Sequence, residues 1–288
     1  MRIALRGVAY SYPRPASGHD TPILRDVSFA MGAGETVRLM GREGAGKTTL
    51  LQLVAGLLRP DSGSLLVDGE AVWEDSSRER SARRRVGFAF QFPEQQFFRE
   101  TVEDELLYAA GNFGMDASEA RGRAARVMEV LGLSFEGMRG RSPFTLSLGE
   151  ARRVAVASVL VTSPAVLLLD EPTAGLDGRG AAALLELLRL RSGPEMSALI
   201  VSHDAELLAE CATRVLLLQE GRIAVDAPAA EFFRDPVAVR GHGLAVPEAV
   251  EVMEDLGALG RASRATRAEA RRIYDEAGRP TLPLRPGR

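Results

Sequence analysis

Apolar positions along the chain switch between a strand period and a helix period. Loose alternation in IALRGVAYSY predicts a strand, PRPASGHDTP a turn-rich loop, and LRDVSFAMGAGE a second strand closed by a glycine turn. ETVRLM, residues 35–40, is apolar enough for a buried strand. TTLLQLVAGLL then places Leu51, Val54, Leu57 and Leu58 at helical spacing. RPDSG reads as a turn, SLLVDGEAV as a short hairpin and VGFAFQ as another strand. Residues 100 to 160 read as helices, in TVEDELLYAAGNFG, SEARGRAARVMEVLGL and LGEARRVAVASVL. AVLLLDEP predicts a buried strand, GRGAAALLELLRLR a helix, SALIVSHD a strand and AELLAECA a helix. RVLLLQEGRIAVDA is a hairpin turning at Glu220-Gly221. From Pro236 a helical tail follows and closes on the Pro-rich, charged RPTLPLRPGR.

Strands alternating with helices imply an α/β fold with a mainly parallel sheet covered on both faces. The helical insertion, about residues 92–162, forms a subdomain inside a first unit spanning 1–235. Residues 236–288 form a small helical extension.

Within that frame, Gly41, Gly46, Lys47 and Thr48 match G-x-x-x-x-G-K-[ST], a phosphate-binding loop between a buried strand and a helix. Such a loop turns successive backbone N–H groups toward one point, where the helix dipole also favours an anion. Lys47 is the only lysine; every other of the 36 basic residues is arginine. A compact ammonium on a flexible stem fits a phosphate nest, and a broad guanidinium fork does not. The Thr48 hydroxyl is placed to ligate Mg²⁺ beside ATP phosphates. Asp170 and Glu171 end an apolar strand, where ligands of open parallel sheets bind. An Asp there holds Mg²⁺ with Thr48, and Glu171 polarises an attacking water as general base. His203 ends the apolar strand of VSHD in the same way, positioned to donate toward a phosphate.

Composition narrows the alternatives. A formal net charge of -3 argues against a nucleic-acid-binding surface, so no direct nucleic-acid binding is expected. Five arginines in Arg78–Arg85 read as a solvated face. The lone Cys211 forms no internal disulfide and reads as a small buried hydrophobe in a reducing compartment. MRIALRGVAY lacks a signal-peptide core, and the longest uncharged run, Val154 to Leu169, is short of a spanning helix and broken by Thr162-Ser163-Pro164. His19, His203 and His242 have no metal-ligand spacing.

In order, the chain carries GREGAGKTT, FQFPEQQFF, LSLGEARR, VLLLDEP, AGLD and VSHD. This series resembles the ATP-binding-cassette ATPases, phosphate-loop NTPases with antiparallel N-terminal strands and a helical signature subdomain. The resemblance spans about residues 3 to 230. It implies that Tyr12, or alternatively Tyr10, stacks on adenine, and that Gly41, Gly44, Ala45, Gly46, Lys47, Thr48 and Thr49 hold the phosphates. It implies that Gln91 touches Mg²⁺ and the attacking water, that Ser147, Gly149 and Glu150 form the signature, that Asp177 crosses a dimer interface and that His203 is the switch histidine. Each ATP would sit between one subunit's phosphate loop and the other's signature. QFPEQQFFRETVEDEL, SPFTLSLGE and GLAVPEAVEVMEDLG resemble the energy-coupling-factor importers of vitamins and transition metals. That type implies a second ATPase subunit, an integral membrane scaffold, a substrate-binding subunit, and a peripheral place on the cytoplasmic face of the membrane. Phe92, Phe97 and Phe98 are either core or, in part, a groove for a partner's helix.

The runner-up is the ATPase of a conventional binding-protein-dependent importer. A DNA-maintenance ATPase would need a long coiled-coil insertion, and a translation factor would need two cassettes. The family signature usually reads L-S-G-G-Q, whereas this chain has Leu148 for the first glycine and Glu150 for glutamine. A Cβ residue hinders close phosphate approach, and a carboxylate near a γ-phosphate repels it unless it is paired or points away. The expectation is an asymmetric heterodimer whose site on Lys47 is the active one. If instead Ser147, Gly149 and the helix dipole suffice and Leu148 faces the core, or if the dimer is a homodimer, both sites work alike.

Overall fold

The computed structural model describes residues 1–13, 22–191, 196–202, 211–257 and 267–276, with the side chains of 93, 190–191, 267 and 274–276 left aside. Two sheets carry the chain. Strands β1 (Ile3–Tyr10), β2 (Leu24–Met31), β4 (Ser62–Val67) and β5 (Glu70–Ala71) form an antiparallel sheet in the order β2-β1-β4-β5. The second sheet runs β10-β9-β3-β8-β7-β6, from β3 (Thr36–Met40), β6 (Val86–Ala89), β7 (Val166–Asp170), β8 (Ser197–Val201), β9 (Arg214–Gln219) and β10 (Arg222–Pro228). Its four pairings from β9 to β6 are all parallel, and only β10 pairs antiparallel, with β9.

The period-2 alternation explains how this sheet is covered. Val37 and Leu39 of β3, Val166 and Leu168 of β7, Leu199 and Val201 of β8 and Leu216 and Leu218 of β9 share one core. That core also holds Ile3, Leu5 and Val8 of the antiparallel sheet and Leu50, Leu51 and Val54 of helix α1 (Lys47–Val54). The alternate positions face the other way. Leu167, Leu169, Ala198 and Ile200 pack against α3 (Val102–Asn112), α4 (Ala117–Val130), α6 (Leu148–Val161) and α7 (Gly178–Arg191). Strands buried on both faces carry near-continuous apolar runs, which is why VLLLD and SALIV read as they do.

The helical insertion runs from a 3-10 turn, Pro93–Gln96, through α5 (Phe135–Met138) to the end of α6. The segment of five arginines is α2 (Ser76–Arg85), capped by Asp75, and its cations pair outward with Glu70, Glu74, Glu79 and Asp68. Cys211 is half-buried against the helical core. The extension comprises α8 (Ala229–Phe232), α9 (Pro236–Gly241), α10 (Glu248–Asp255) and α11 (Arg267–Glu276). Phe233, Val239, Val250, Met253 and Ile273 pack with Met40, Val215 and Leu217, so these helices share a core with the sheet. The end of the tail, residues 277–288, lies outside the described residues. Among the described residues no helix is long and apolar enough to cross a membrane.

Arg214 ties the two sheets together. Its Nε and Nη2 donate to Asp226 at 2.5 Å each, and its Nη1 donates to Glu35 Oε1 and the Ala30 carbonyl at 2.9 Å each. The guanidinium is a quarter exposed, so the surrounding water discounts the pairs but does not erase them. Arg214→Ala leaves two carboxylates and a carbonyl without their donor and should lower stability by about 1–3 kcal/mol. Urea denaturation measures this; an unchanged midpoint would contradict it.

Candidate active site

The phosphate loop grows directly out of β3. The first glycine, Gly41, passes the next strand so closely that a Cβ there would lie 2.4 Å from the Leu218 carbonyl oxygen. Gly46 is the N-cap of α1 with a left-handed backbone, and Lys47, Thr48 and Thr49 form the first turn. Lys47 curls back over the loop, its Nζ donating to the Gly41 carbonyl at 2.8 Å and the Arg42 carbonyl at 3.0 Å. Burial holds its pKa below the usual lysine value, against the opposing pull of Glu171, Asp170 and Glu43. The half-buried ammonium is the cation at this loop, and the carboxylates of Asp170 and Glu171 beside it call for a divalent cation before a polyphosphate can approach.

Across the sheet, Asp170 ends β7 only 3% exposed, and Thr48 Oγ1 donates to its Oδ2 at 2.6 Å. These two oxygens are the hard-donor set that a divalent cation such as Mg²⁺ takes up. Glu171 follows with φ 51, a left-handed conformation unusual for a residue with a side chain, and its N–H donates to the Val201 carbonyl at 2.8 Å. Such strain persists where the surroundings enforce it, and it turns the Glu171 side chain out of line with the strand. Gln91 follows β6, the neighbour of β7, at the same end of the sheet; its side chain is exposed. His203 lies outside the described residues.

Tyr12 and Tyr10 part company here. Tyr10 is buried in the antiparallel sheet, its hydroxyl pKa raised by burial, whereas Tyr12 presents an exposed ring packed edge-on against it at 5.0 Å. The Tyr12 hydroxyl donates to Gln52 Oε1 at 3.0 Å, which fixes the ring beside α1. Gln52 was not foreseen from the sequence, although it sits on the helix that opens with Lys47. Nor was the reach of the extension: residues Gly243, Leu244 and Ala245 close a cleft of about 210 Å³ against Arg42, Glu43 and Lys47.

The signature lies at the start of α6, in the helical insertion. Ser147 caps the helix, its Oγ accepting from Glu150 N–H at 3.3 Å. Glu150 reaches back, and its Oε2 accepts from Ser147 N–H and Oγ–H at 2.9 Å each. In this capping box the carboxylate is turned onto its own helix start and held below the usual carboxylate pKa by those bonds, the paired arrangement that the sequence left open. Leu148 is 55% exposed, so it does not face the core. Asp177 Oδ1 accepts from Gly180 N–H at 2.7 Å and caps α7, while the Gly175 carbonyl runs beside Gly149. The phosphate loop and the signature are thus both formed, one opening α1 and the other opening α6.

Of the three phenylalanines, Phe97 is core, while Phe92 and Phe98 are exposed. Glu105, itself buried, accepts the backbone N–H groups of Phe98 and Arg99 and pins this loop to α3. Phe98 meets Tyr108 edge-on at 4.7 Å, and Arg99 lies 4.2 Å from the centre of the Tyr108 ring.

Acylation at mildly alkaline pH should put a single ε-amine adduct on Lys47, with the Met1 α-amine as internal reference. Mg·ATP should suppress only the Lys47 adduct in the mass spectrum. Equal labelling with and without nucleotide would remove Lys47 from the phosphate site.

Comparison with known proteins agrees with this geometry. The family described as ABC transporter matches residues 24–174. The energy-coupling factor transporter ATP-binding protein EcfA2 of Clostridium perfringens is 37% identical over 257 residues, 89% of this chain and 90% of the relative. The EcfA2 of Geobacillus kaustophilus is 39% identical over 236 residues, 81% of each chain. Among solved structures, cbiO1 from Clostridium perfringens, part of the ABC transporter complex cbiONQ, superposes with a TM-score of 0.71 at 29% identity, covering 88% of this chain and 98% of that one. The dimeric post-hydrolysis state of the cassette MJ0796, bound to ADP and Pi, gives a TM-score of 0.70 at 25% identity, over 78% of this chain and 98% of that one. The chain belongs to the ABC transporter family, within its energy-coupling factor ATPases.

Proposed function

We propose that this ATPase powers an energy-coupling factor importer by closing on a second cassette subunit around ATP, at the cytoplasmic face of a membrane scaffold. The observation that supports this most is that one chain builds two anion-binding helix starts: Lys47 and Thr48 open α1 beside Asp170 and Glu171, while Ser147 and Gly149 open α6 in the helical insertion. A second anion-binding helix start serves best across an interface, with ATP as the adhesive.

In this reading Tyr12 stacks on adenine, and Gly41, Gly44, Ala45, Gly46, Lys47 and Thr49 hold the phosphates. Thr48 and Asp170, with Gln91, would hold Mg²⁺, which when bound offsets charge on the β- and γ-phosphates. Glu171 takes a proton from the attacking water, whose oxygen bonds to the γ-phosphorus as the bond to ADP breaks. His203 and the partner's signature steady the γ-phosphate, and Asp177 lies at the interface. The exposed Phe98–Tyr108–Arg99 surface receives a helix of the membrane scaffold. In a heterodimer the ATP completed by Ser147 and Gly149 is held more weakly. The ionised Glu150 already occupies that helix start, and Leu148 stands where a glycine would admit phosphate.

Glu171→Gln should keep ATP binding while slowing turnover by about 100- to 10,000-fold, the usual contribution of a general base. The unspent ATP should hold two cassettes together in size-exclusion chromatography with the native partner subunit. Unchanged turnover would remove Glu171 from this role, and monomers in ATP would remove the closure.

A further inference from the structure

Arg152, in the second turn of α6, is 2% exposed. Burying a guanidinium costs several kcal/mol unless its donors are met. Here they are met only in part, and by loops. Nη2 donates to the Gln91 carbonyl at 3.3 Å and to Glu94 Oε1 at 3.4 Å. The guanidinium carbon lies 5.6 Å from the centre of the Phe92 ring. Gly175 runs beside it with a left-handed backbone, φ 75, which favours glycine, and a Cβ there would stand 2.9 Å from Nη1. Both loops leave neighbouring parallel strands, β6 and β7, at the end of the sheet where Asp170 sits.

One buried cation therefore touches the loop of Gln91, the loop that leads to Asp177, and, through its own helix, the signature. The pair with Glu94 is loose. Arg152 Nε and Glu94 Oε2 are buried without a hydrogen-bond partner among the described residues. A half-satisfied ion pair is a poor device for stability, because a well-packed apolar residue of similar size often does as well or better. It is a good device for holding separate loops in register.

We propose that Arg152 is a positioning residue for hydrolysis: it fixes the Gln91 backbone, and the path of the Gly175 loop, relative to the signature helix. The inference rests on the ATPase reading above and adds a residue that touches neither nucleotide nor water. Its neighbour Phe92 is itself exposed, so a helix docked on that ring would act on Gln91 through the same guanidinium.

The test uses the full chain assembled with its partner subunits. Arg152→Met keeps the volume and removes the cation. It should leave the melting temperature at or above the wild-type value and KM for ATP within about twofold. It should lower kcat by about 10- to 100-fold, the scale of a misplaced reacting group. Glu94→Gln should lower kcat in the same direction, and the double variant should fall no further than Arg152→Met alone. Arg152→Lys, a cation without a fork, should lie between. If Arg152→Met does not fold, Glu94→Gln decides. Wild-type kcat in the folded variants, or kcat falling only in step with melting temperature, would overturn the proposal. A wild-type complex without ATP turnover would instead overturn the ATPase reading itself.

Discussion

The hydrogen bond from Thr48 to Asp170 is the constraint on which the rest of the site depends. It joins the first turn of α1 to the end of β7, with β8 lying between β7 and β3 in the sheet. A hydroxyl and a carboxylate 2.6 Å apart require strand ends in register, and parallel pairing of β3, β8 and β7 supplies it. Burial on both faces keeps those strand ends from moving independently. The same burial depresses the Lys47 pKa and leaves Asp170 almost out of water. The fold thus gathers one ammonium, one hydroxyl and two carboxylates where strands end and a helix begins.

The helical insertion is organised by different forces. Its helices start with their own caps, at Thr101, Asp116, Ser134 and Ser147, and they pack on Leu167, Leu169 and Ile200. Glu105 and Arg152 are its buried charges, and both reach into loops that lead toward the sheet end. Polar groups buried in this way fix loop positions that apolar packing leaves loose.

The phosphate loop and Asp170-Glu171 were legible because each is short and contiguous, set between an apolar strand and a helix or turn. The choice between Tyr10 and Tyr12 was not. It depends on alternation along β1, with a register shift between Leu5 and Val8 that brings Val8 and Tyr10 inside. Phe97 and Phe98 are adjacent in sequence, and only the 3-10 turn and the Glu105 carboxylate decide which one is buried. Glu150 carried a signal that went unread: Ser147 followed three residues later by Glu is a capping-box pattern, which turns the carboxylate inward. The approach of Gly243 to Arg42 joins residues about two hundred positions apart, and no local pattern encodes it.

The central claim is that Thr48 and Asp170 together receive the cation of Mg·ATP. Isothermal titration of the non-hydrolysing Glu171→Gln chain with ATP, in Mg²⁺ and in excess chelator, tests it directly. ATP should bind more tightly with Mg²⁺, and adding Asp170→Asn should abolish most of that difference while leaving metal-free binding in place. A Mg²⁺ effect of the same size with and without Asp170 would contradict the account.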